Sequence, residues 1–178
     1  MSTHTPLNVN HPCEPLVRSC PGDRSESRYC TLVDAFDVAH ADRYRVRDTS
    51  GDGKDDTFCN IFATDVCAAM GVVLPRIWFG PMGWRGVSAN GLFDWLGEHG
   101  ERYEWARVTA HQARAFASQG MPTLACWRND AGSGHIAVVL PSPSEGPLRI
   151  AQAGARCFFD EPIAAGFGAR PVTLWSHP

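Results

Sequence analysis

A cysteine at position 59 has the sequence surroundings of a catalytic nucleophile. It lies in residues 55–71, where apolar residues fall at helical spacing. Thr57 is predicted to cap the start of this helix and Gly71 to end it, so Cys59 falls in the first turn. Unpaired backbone N–H groups and the positive end of the helix dipole point at a thiol there, and both favour the thiolate. The pattern therefore predicts an activated nucleophile, with a buried structural cysteine as the alternative.

A histidine and a glutamine further along the chain supply two more groups of such a site. His135 follows a Gly-Ser-Gly turn and begins a buried strand, so one side of its ring is open, as a base requires. Gln152 lies in a second strand, at 148–153, and hairpin pairing of the two strands brings it near His135. We expect the imidazole within about 4 Å of the Cys59 sulfur and the Gln152 amide as its orienter. Taken singly, His135 is better explained as a structural histidine and Gln152 as a surface amide, but their ordered combination with Cys59 is harder to obtain by chance.

Together these motifs resemble a superfamily of cysteine hydrolases. Thr-Phe-Cys-Asn-Ile-Phe at a helix start, followed by Gly-His-Ile-Ala-Val-Val on a strand, is similar to the papain-like CHAP and NlpC-type amidases and endopeptidases. The resemblance covers residues 48–177 and extends in particular to cell-wall amidases among type VI secretion effectors and phage lysins. It implies that Cys59 attacks an amide carbonyl, His135 is the base and Gln152 orients the histidine. Gln152 departs from the His, Asn or Glu that often stands at the third position.

The resemblance also implies a substrate and a place of action. The substrate would be an amide or peptide bond of bacterial peptidoglycan, and the chemistry requires no cofactor. An immunity protein and a secretion apparatus would be the protein partners. The first residues contain neither a basic region nor a hydrophobic segment, so no Sec signal is expected. We expect secretion by another route and action in the periplasm or cell wall of a target bacterium.

A short acidic loop precedes the Cys59 helix and follows a calcium-loop pattern. Its candidate ligands are Asp48, Ser50, Asp52, Lys54 and Asp56. Oxygen side chains occupy positions 1, 3, 5 and 9 of the pattern, a backbone carbonyl serves at 7, and glycine stands at 6. Cys59 occupies position 12, where a bidentate glutamate belongs, so a complete EF-hand is excluded. The loop predicts a structural calcium ion, with a solvated acidic turn as the alternative.

Composition and charge exclude several classes of protein. The 178 residues are 44% hydrophobic and 20% charged with a net charge of −3, which is typical of a globular domain with its own core. The sequence contains no basic run interleaved with aromatic residues, so nothing in it indicates nucleic-acid binding. No apolar run approaches the ~20 residues of a membrane helix. Seven cysteines leave up to three disulfides beside one free nucleophile, and we expect at least one. The expected oligomeric state is a monomer.

The order of predicted elements favours an α+β fold. Residues 1–27 are predicted to form an irregular N-terminal arm and residues 28–178 the papain-like hydrolase domain. Helices are predicted at 29–41, 57–71, 88–100 and 109–119, and strands at 103–108, 122–127, 135–140, 148–153 and 172–175. Helices before an antiparallel sheet give an α+β architecture in which the Cys59 helix packs on the sheet.

Two other functions stay open at this point. The same site could serve a transglutaminase or deamidase. Such an enzyme transfers the acyl group of a protein side chain to an amine or to water. The non-enzymatic alternative is a disulfide-stapled, calcium-binding interaction module in which Cys59 is merely packed. Fast alkylation of Cys59 alone at neutral pH indicates an enzyme, whereas an inert thiol in the folded protein indicates the module.

Overall fold

Two helices come first in the described chain, and four consecutive strands lie in its C-terminal half. The computed structural model describes residues 17–80 and 83–178, without the side chains of residues 78–80, 83 and 84. The strands are β1 (Ile77–Gly80), β2 (Gly83–Gly86), β3 (Ala106–Val108), β4 (Thr123–Trp127), β5 (His135–Leu140), β6 (Arg149–Ala153), β7 (Cys157–Pro162) and β8 (Thr173–Ser176). The helices are α1 (Glu26–Asp34), α2 (Cys59–Ala69), α3 (Ala89–His99), α4 (Ala110–Ser118) and α5 (Ile163–Phe167).

A six-stranded antiparallel sheet forms the centre of the fold. Its strands lie in the order β3, β8, β4, β5, β6, β7, while β1 and β2 form a separate hairpin. The residues from Ile136 to Leu140 in β5 are all buried, and successive strand residues point to opposite faces, so both faces of the sheet are covered there. Helix α2 packs on β5 and β6, and α4 packs on β5 and β8. The predicted α+β class with the Cys59 helix on an antiparallel sheet is confirmed.

One charged cluster lies inside this packing. Asp65 of α2 has no exposed surface, and its carboxylate accepts a hydrogen bond from Arg43 Nε at 2.7 Å. The Tyr44 hydroxyl donates to the same carboxylate at 2.7 Å, and the Arg76 guanidinium donates as well. A buried carboxylate is tolerated only when its charge is paired and its oxygen atoms are hydrogen-bonded. The cluster therefore fixes α2 to the segments on either side of it in the chain.

The end of the predicted N-terminal arm is packed rather than irregular. Helix α1 begins at Glu26, and the Ser25 side chain caps it. Ser19 is buried, and its backbone N–H donates to the carbonyl of Ala69 at 3.2 Å, at the end of α2. The part of the arm at residues 1–16 lies outside the described residues.

Several predicted elements are confirmed and others were missed. Ser88 caps α3 and Thr109 caps α4, as predicted from the sequence. The prediction missed β7 and α5, as well as the hairpin of β1 and β2. Within residues 17–80 and 83–178, no helix has both the length and the apolar character needed to cross a membrane.

The cysteines of the described region are free thiols. They are Cys20, Cys30, Cys59, Cys67, Cys126 and Cys157, and Cys13 lies outside that region. Cys67 and Cys126 are fully buried, where a free cysteine packs as a small hydrophobic residue. No disulfide forms among these six cysteines, so the prediction of a disulfide gains no support from the described region.

Replacing Asp65 by asparagine should lower the free energy of unfolding by about 3–5 kcal/mol, because the buried ends of Arg43 and Arg76 lose their counter-charge. Urea denaturation measures the loss. The control is Asp42→Asn, which removes an exposed ion pair with Arg45 and should cost less than about 1 kcal/mol. Equal losses in the two variants would contradict a special role for the buried cluster.

Candidate active site

Cys59 is the first residue of α2, and its side chain is almost entirely buried, at 4% exposure. The N-cap is Phe58 rather than the predicted Thr57, because Thr57 lies one residue too early and its hydroxyl approaches the sulfur instead. The Phe58 backbone N–H donates to the carbonyl of Ala153 at 3.2 Å. This bond ties the start of α2 to the end of β6, the strand that carries Gln152.

Burial controls the protonation state of the Cys59 thiol. Desolvation raises its pKa above the ordinary value, although the backbone N–H groups of Ile136 and Asn60 act in the opposite direction. The N–H groups at the helix start thus act in the predicted direction, but burial has the larger effect on the pKa. Removing a charge from water outweighs the nearby N–H dipoles at this depth. Cys59 is a thiol at neutral pH, and a base must take its proton before it can attack.

His135 and Gln152 form the predicted pair. His135 Nε2 and Gln152 Oε1 lie 2.7 Å apart, and Gln152 Nε2 donates to the carbonyl of Arg156 at 3.0 Å. The second bond points the amide oxygen at the imidazole, so Nε2 of His135 carries the proton and donates it. Nδ1 is then the basic nitrogen of the ring.

Two glycines make room for this pair. Val138 of β5 pairs with Ala151 of β6. The same residue-by-residue pairing, extended toward the start of β5, places Gly154 opposite His135. A Cβ on Gly154 would lie 3.1 Å from His135 Cε1 and 3.0 Å from Gln152 Nε2. A Cβ on Gly166, in α5, would overlap Oε1 of Gln152. The contact of His135 with Gln152 thus depends on two positions without a side chain.

Helix α5 supports the histidine from a second side. The Phe167 ring is buried, and its centroid lies 4.9 Å from that of the His135 ring. Burial lowers the pKa of His135 below its ordinary value of 6.5, and the hydrogen bond that His135 donates to Gln152 offsets part of that change. The imidazole is therefore neutral at neutral pH and able to accept a proton.

Cys59 and His135 face two adjoining clefts. The Cys59 cleft has a volume of about 220 Å³ and the His135 cleft about 340 Å³. Thr57, Ser133 and Gly134 line both. No hydrogen bond between the Cys59 sulfur and the His135 ring is present among the described residues, and the expected distance of about 4 Å between them stays a prediction. Catalytic hydrogen bonds in unliganded enzymes are often long and tighten when substrate binds.

Asn90 positions the wall shared by the two clefts, and the sequence analysis missed it. Its Nδ2 donates to the carbonyls of Asn129 and Gly132, both at 2.9 Å. Its Oδ1 accepts from the backbone N–H of Asn129 at 3.0 Å. These bonds fix residues 129–134, the turn before His135. The only signal in the sequence is a polar residue just after the helix cap at Ser88.

Two carboxylates of the acidic loop accept hydrogen bonds from other residues of the same loop. The Asp48 carboxylate accepts backbone hydrogen bonds from Gly53 at 2.8 Å and Gly51 at 2.7 Å, which hold its pKa below the usual range. Asp56 accepts from the Thr49 side chain and backbone, which lowers its pKa too. Across the described ranges, no three His, Cys, Asp or Glu side chains converge to hold a metal. The calcium ion predicted at Asp48, Ser50, Asp52, Lys54 and Asp56 stays a prediction.

Comparison with known proteins adds no assignment to this geometry. The chain matches no protein-family model and no curated protein. Interpretation of the site therefore depends on its own residues: a helix-start thiol, a neutral imidazole in the adjoining cleft, and an amide that orients the imidazole.

Replacing Gly166 by alanine should break the bond between Gln152 and His135, because the new Cβ overlaps the amide oxygen. Loss of that bond removes the contribution that raises the pKa of His135, so the ring should titrate at a lower pH. NMR titration of the imidazole protons measures the change. The control is Gly97→Ala in α3, where nothing lies within 4 Å of the new Cβ. An unchanged titration in the Gly166 variant would show that Gln152 does not tune the ring.

Calcium should raise the thermal midpoint of chelator-treated protein if the acidic loop binds the ion. A ligand specific to the folded state adds RT ln(1 + [L]/Kd), about 2.7 kcal/mol at a hundredfold excess over Kd. Asp52→Ala should remove the rise, whereas Asp55→Ala, outside the ligand pattern, should keep it. A midpoint that does not respond to calcium in the unaltered protein argues for a solvated turn.

Proposed function

We propose that the protein is a papain-like cysteine amidohydrolase of the CHAP and NlpC type that cleaves amide or peptide bonds of bacterial peptidoglycan. The observation that carries the proposal is the 2.7 Å bond between His135 and Gln152, on a strand packed against the helix that begins with Cys59. A nucleophile, a base and a group that orients the base are the minimum for covalent amide hydrolysis. The peptidoglycan substrate is proposed from the resemblance of the cysteine and histidine motifs to cell-wall amidases.

The reaction begins from a neutral pair. Nδ1 of His135 takes the thiol proton as the Cys59 sulfur forms a bond to the amide carbonyl carbon. The carbon–nitrogen bond then breaks, and the imidazolium gives its proton to the departing amine. Water, deprotonated by the same imidazole, releases the acyl group and restores the thiol. A bound substrate displaces water near the Cys59 sulfur and brings its amide carbonyl within reach of that sulfur. Transfer of the thiol proton to His135 is therefore coupled to substrate binding.

Negative charge on the carbonyl oxygen needs donors close to the sulfur. The backbone N–H of Cys59 is in the first turn of α2, where N–H groups have no partner within the helix. A preorganised donor of this kind stabilises the tetrahedral intermediate more than the planar amide, and that difference is what accelerates the reaction. The residues that orient Cys59 thus also orient one oxyanion donor.

The proposed place of action is the periplasm or cell wall of a target bacterium, which is where peptidoglycan lies. The proposed route of delivery is a secretion apparatus or release by lysis. A producing cell that meets its own enzyme in the periplasm would need an immunity protein.

Purified peptidoglycan incubated with the protein should yield new amine termini and soluble muropeptides, detected by mass spectrometry. Cys59→Ala should abolish release while keeping the fold, because it removes the nucleophile and only a small side chain. His135→Ala should lose nearly as much activity and Gln152→Ala less, since an orienter only biases tautomer and angle. Cys20→Ala, at an exposed cysteine, is the control and should keep full activity. Activity of the Cys59 variant equal to that of the unaltered protein would refute the proposal.

The same nucleophile variant tests the place of action. Expression with an added signal peptide should lyse a Gram-negative host, and Cys59→Ala should restore growth, whereas cytoplasmic expression should be tolerated. Equal killing from the cytoplasm would instead indicate an intracellular protein substrate and favour the transglutaminase or deamidase alternative.

A further inference from the structure

An exposed arginine stands at the edge of the His135 cleft without an acidic partner in the described part of the chain. Arg170 lines this cleft together with His135, Gln152 and Trp127. Its guanidinium carbon lies 4.7 Å from the centroid of the Trp127 ring. Stacking on an indole is favourable for a guanidinium and leaves its edge, where the N–H donors lie, open to a ligand.

The elements that hold the base also hold this guanidinium. Nη1 of Arg170 donates to the carbonyl of Phe167 at 3.1 Å, and the Arg170 backbone N–H donates to the same carbonyl at 3.1 Å. The Phe167 ring packs on His135, and Trp127 is the cross-strand partner of His135 in β4 and β5. Arg170 is therefore fixed relative to the imidazole through two independent contacts.

A second arginine of the cleft provides a contrast. Arg156 forms a two-point ion pair with Glu161, with Nη1 of Arg156 2.9 Å from Oε1 and Nη2 on Oε2. Its charge is compensated within the protein. Arg170 uses one side-chain donor on a neutral carbonyl, so its charge and its remaining donors are available to a planar anion.

We propose that Arg170 binds a free carboxylate of the substrate, so that the amide bond cleaved lies next to a carboxylate-bearing residue. The inference rests on the proposed function and narrows its substrate to acidic peptides. Planar, two-point recognition suits a carboxylate, and the cleft of about 340 Å³ leaves room for a peptide side chain or terminus.

Carboxylate binding at Arg170 also affects the base. The Arg170 charge lowers the pKa of His135, in addition to the larger effect of burial. A bound carboxylate neutralises that charge, so the imidazole becomes a better proton acceptor when an acidic substrate is present. Recognition of the substrate and activation of the base are thereby linked.

Alkylation of Cys59 tests the anion site without any turnover. Iodoacetate and iodoacetamide transfer nearly the same group to sulfur with loss of iodide and a proton, but only iodoacetate carries a negative charge. The ratio of their rate constants, iodoacetate over iodoacetamide, should be higher at Cys59 than for a small free thiol. In Arg170→Gln the ratio should fall about threefold to tenfold, and in Arg170→Lys it should fall less. Arg156→Gln is the matched control and should leave the ratio unchanged.

The outcomes separate the two proposals. An unchanged ratio in Arg170→Gln, or an equal fall in Arg156→Gln, overturns the anion site and leaves the hydrolase proposal intact. A preserved charge effect in a protein that does not digest peptidoglycan overturns the peptidoglycan assignment alone. A Cys59 that reacts with neither reagent overturns both. Thermal midpoints of the variants confirm that each is folded, and the lysine variant separates loss of charge from loss of packing on Trp127.

Discussion

The buried carboxylate of Asp65 is the constraint on which the position of Cys59 depends. A charge without contact with water requires compensating partners, and Arg43, Tyr44 and Arg76 supply them. These partners come from segments before and after α2, so the helix cannot shift along the sheet without breaking the cluster. The sulfur of Cys59, about 1.7 turns away on the same helix, is held in place as a result.

Close backbone approach is the second requirement of the site. The imidazole and the amide of Gln152 meet across β5 and β6 only because Gly154 and Gly166 leave the space empty. Packing of α5 then buries the pair, and burial sets the electrostatics. Desolvation keeps the cysteine as a thiol and the histidine neutral, since each loses water that would stabilise its charged form. A neutral pair at rest makes proton transfer depend on what enters the clefts.

Sequence patterns predicted the local parts of this arrangement well. Helical spacing and caps located α2, α3 and α4, and the Gly-Ser-Gly turn located the start of β5 at His135. The pairing of two short strands was enough to predict the contact of His135 with Gln152, because neighbouring antiparallel strands have a defined register. The cap at Phe58 differed from the prediction by one residue, which is the usual uncertainty of a helix end.

The sequence by itself determined the α+β class and the candidate residues for the proposed chemistry, because residue type and periodicity are local properties. Only the tertiary structure decided the protonation states, since desolvation depends on segments distant in the chain, such as α5 against His135. It also placed Asn90 on the turn before His135 and Arg170 over the Trp127 ring, and both belong to no motif and make contacts with residues far away in sequence. Helix α5 spans five residues, too few for a periodic pattern, yet it places Gly166 against Gln152 and Phe167 against His135, because packing rather than sequence spacing brings it there.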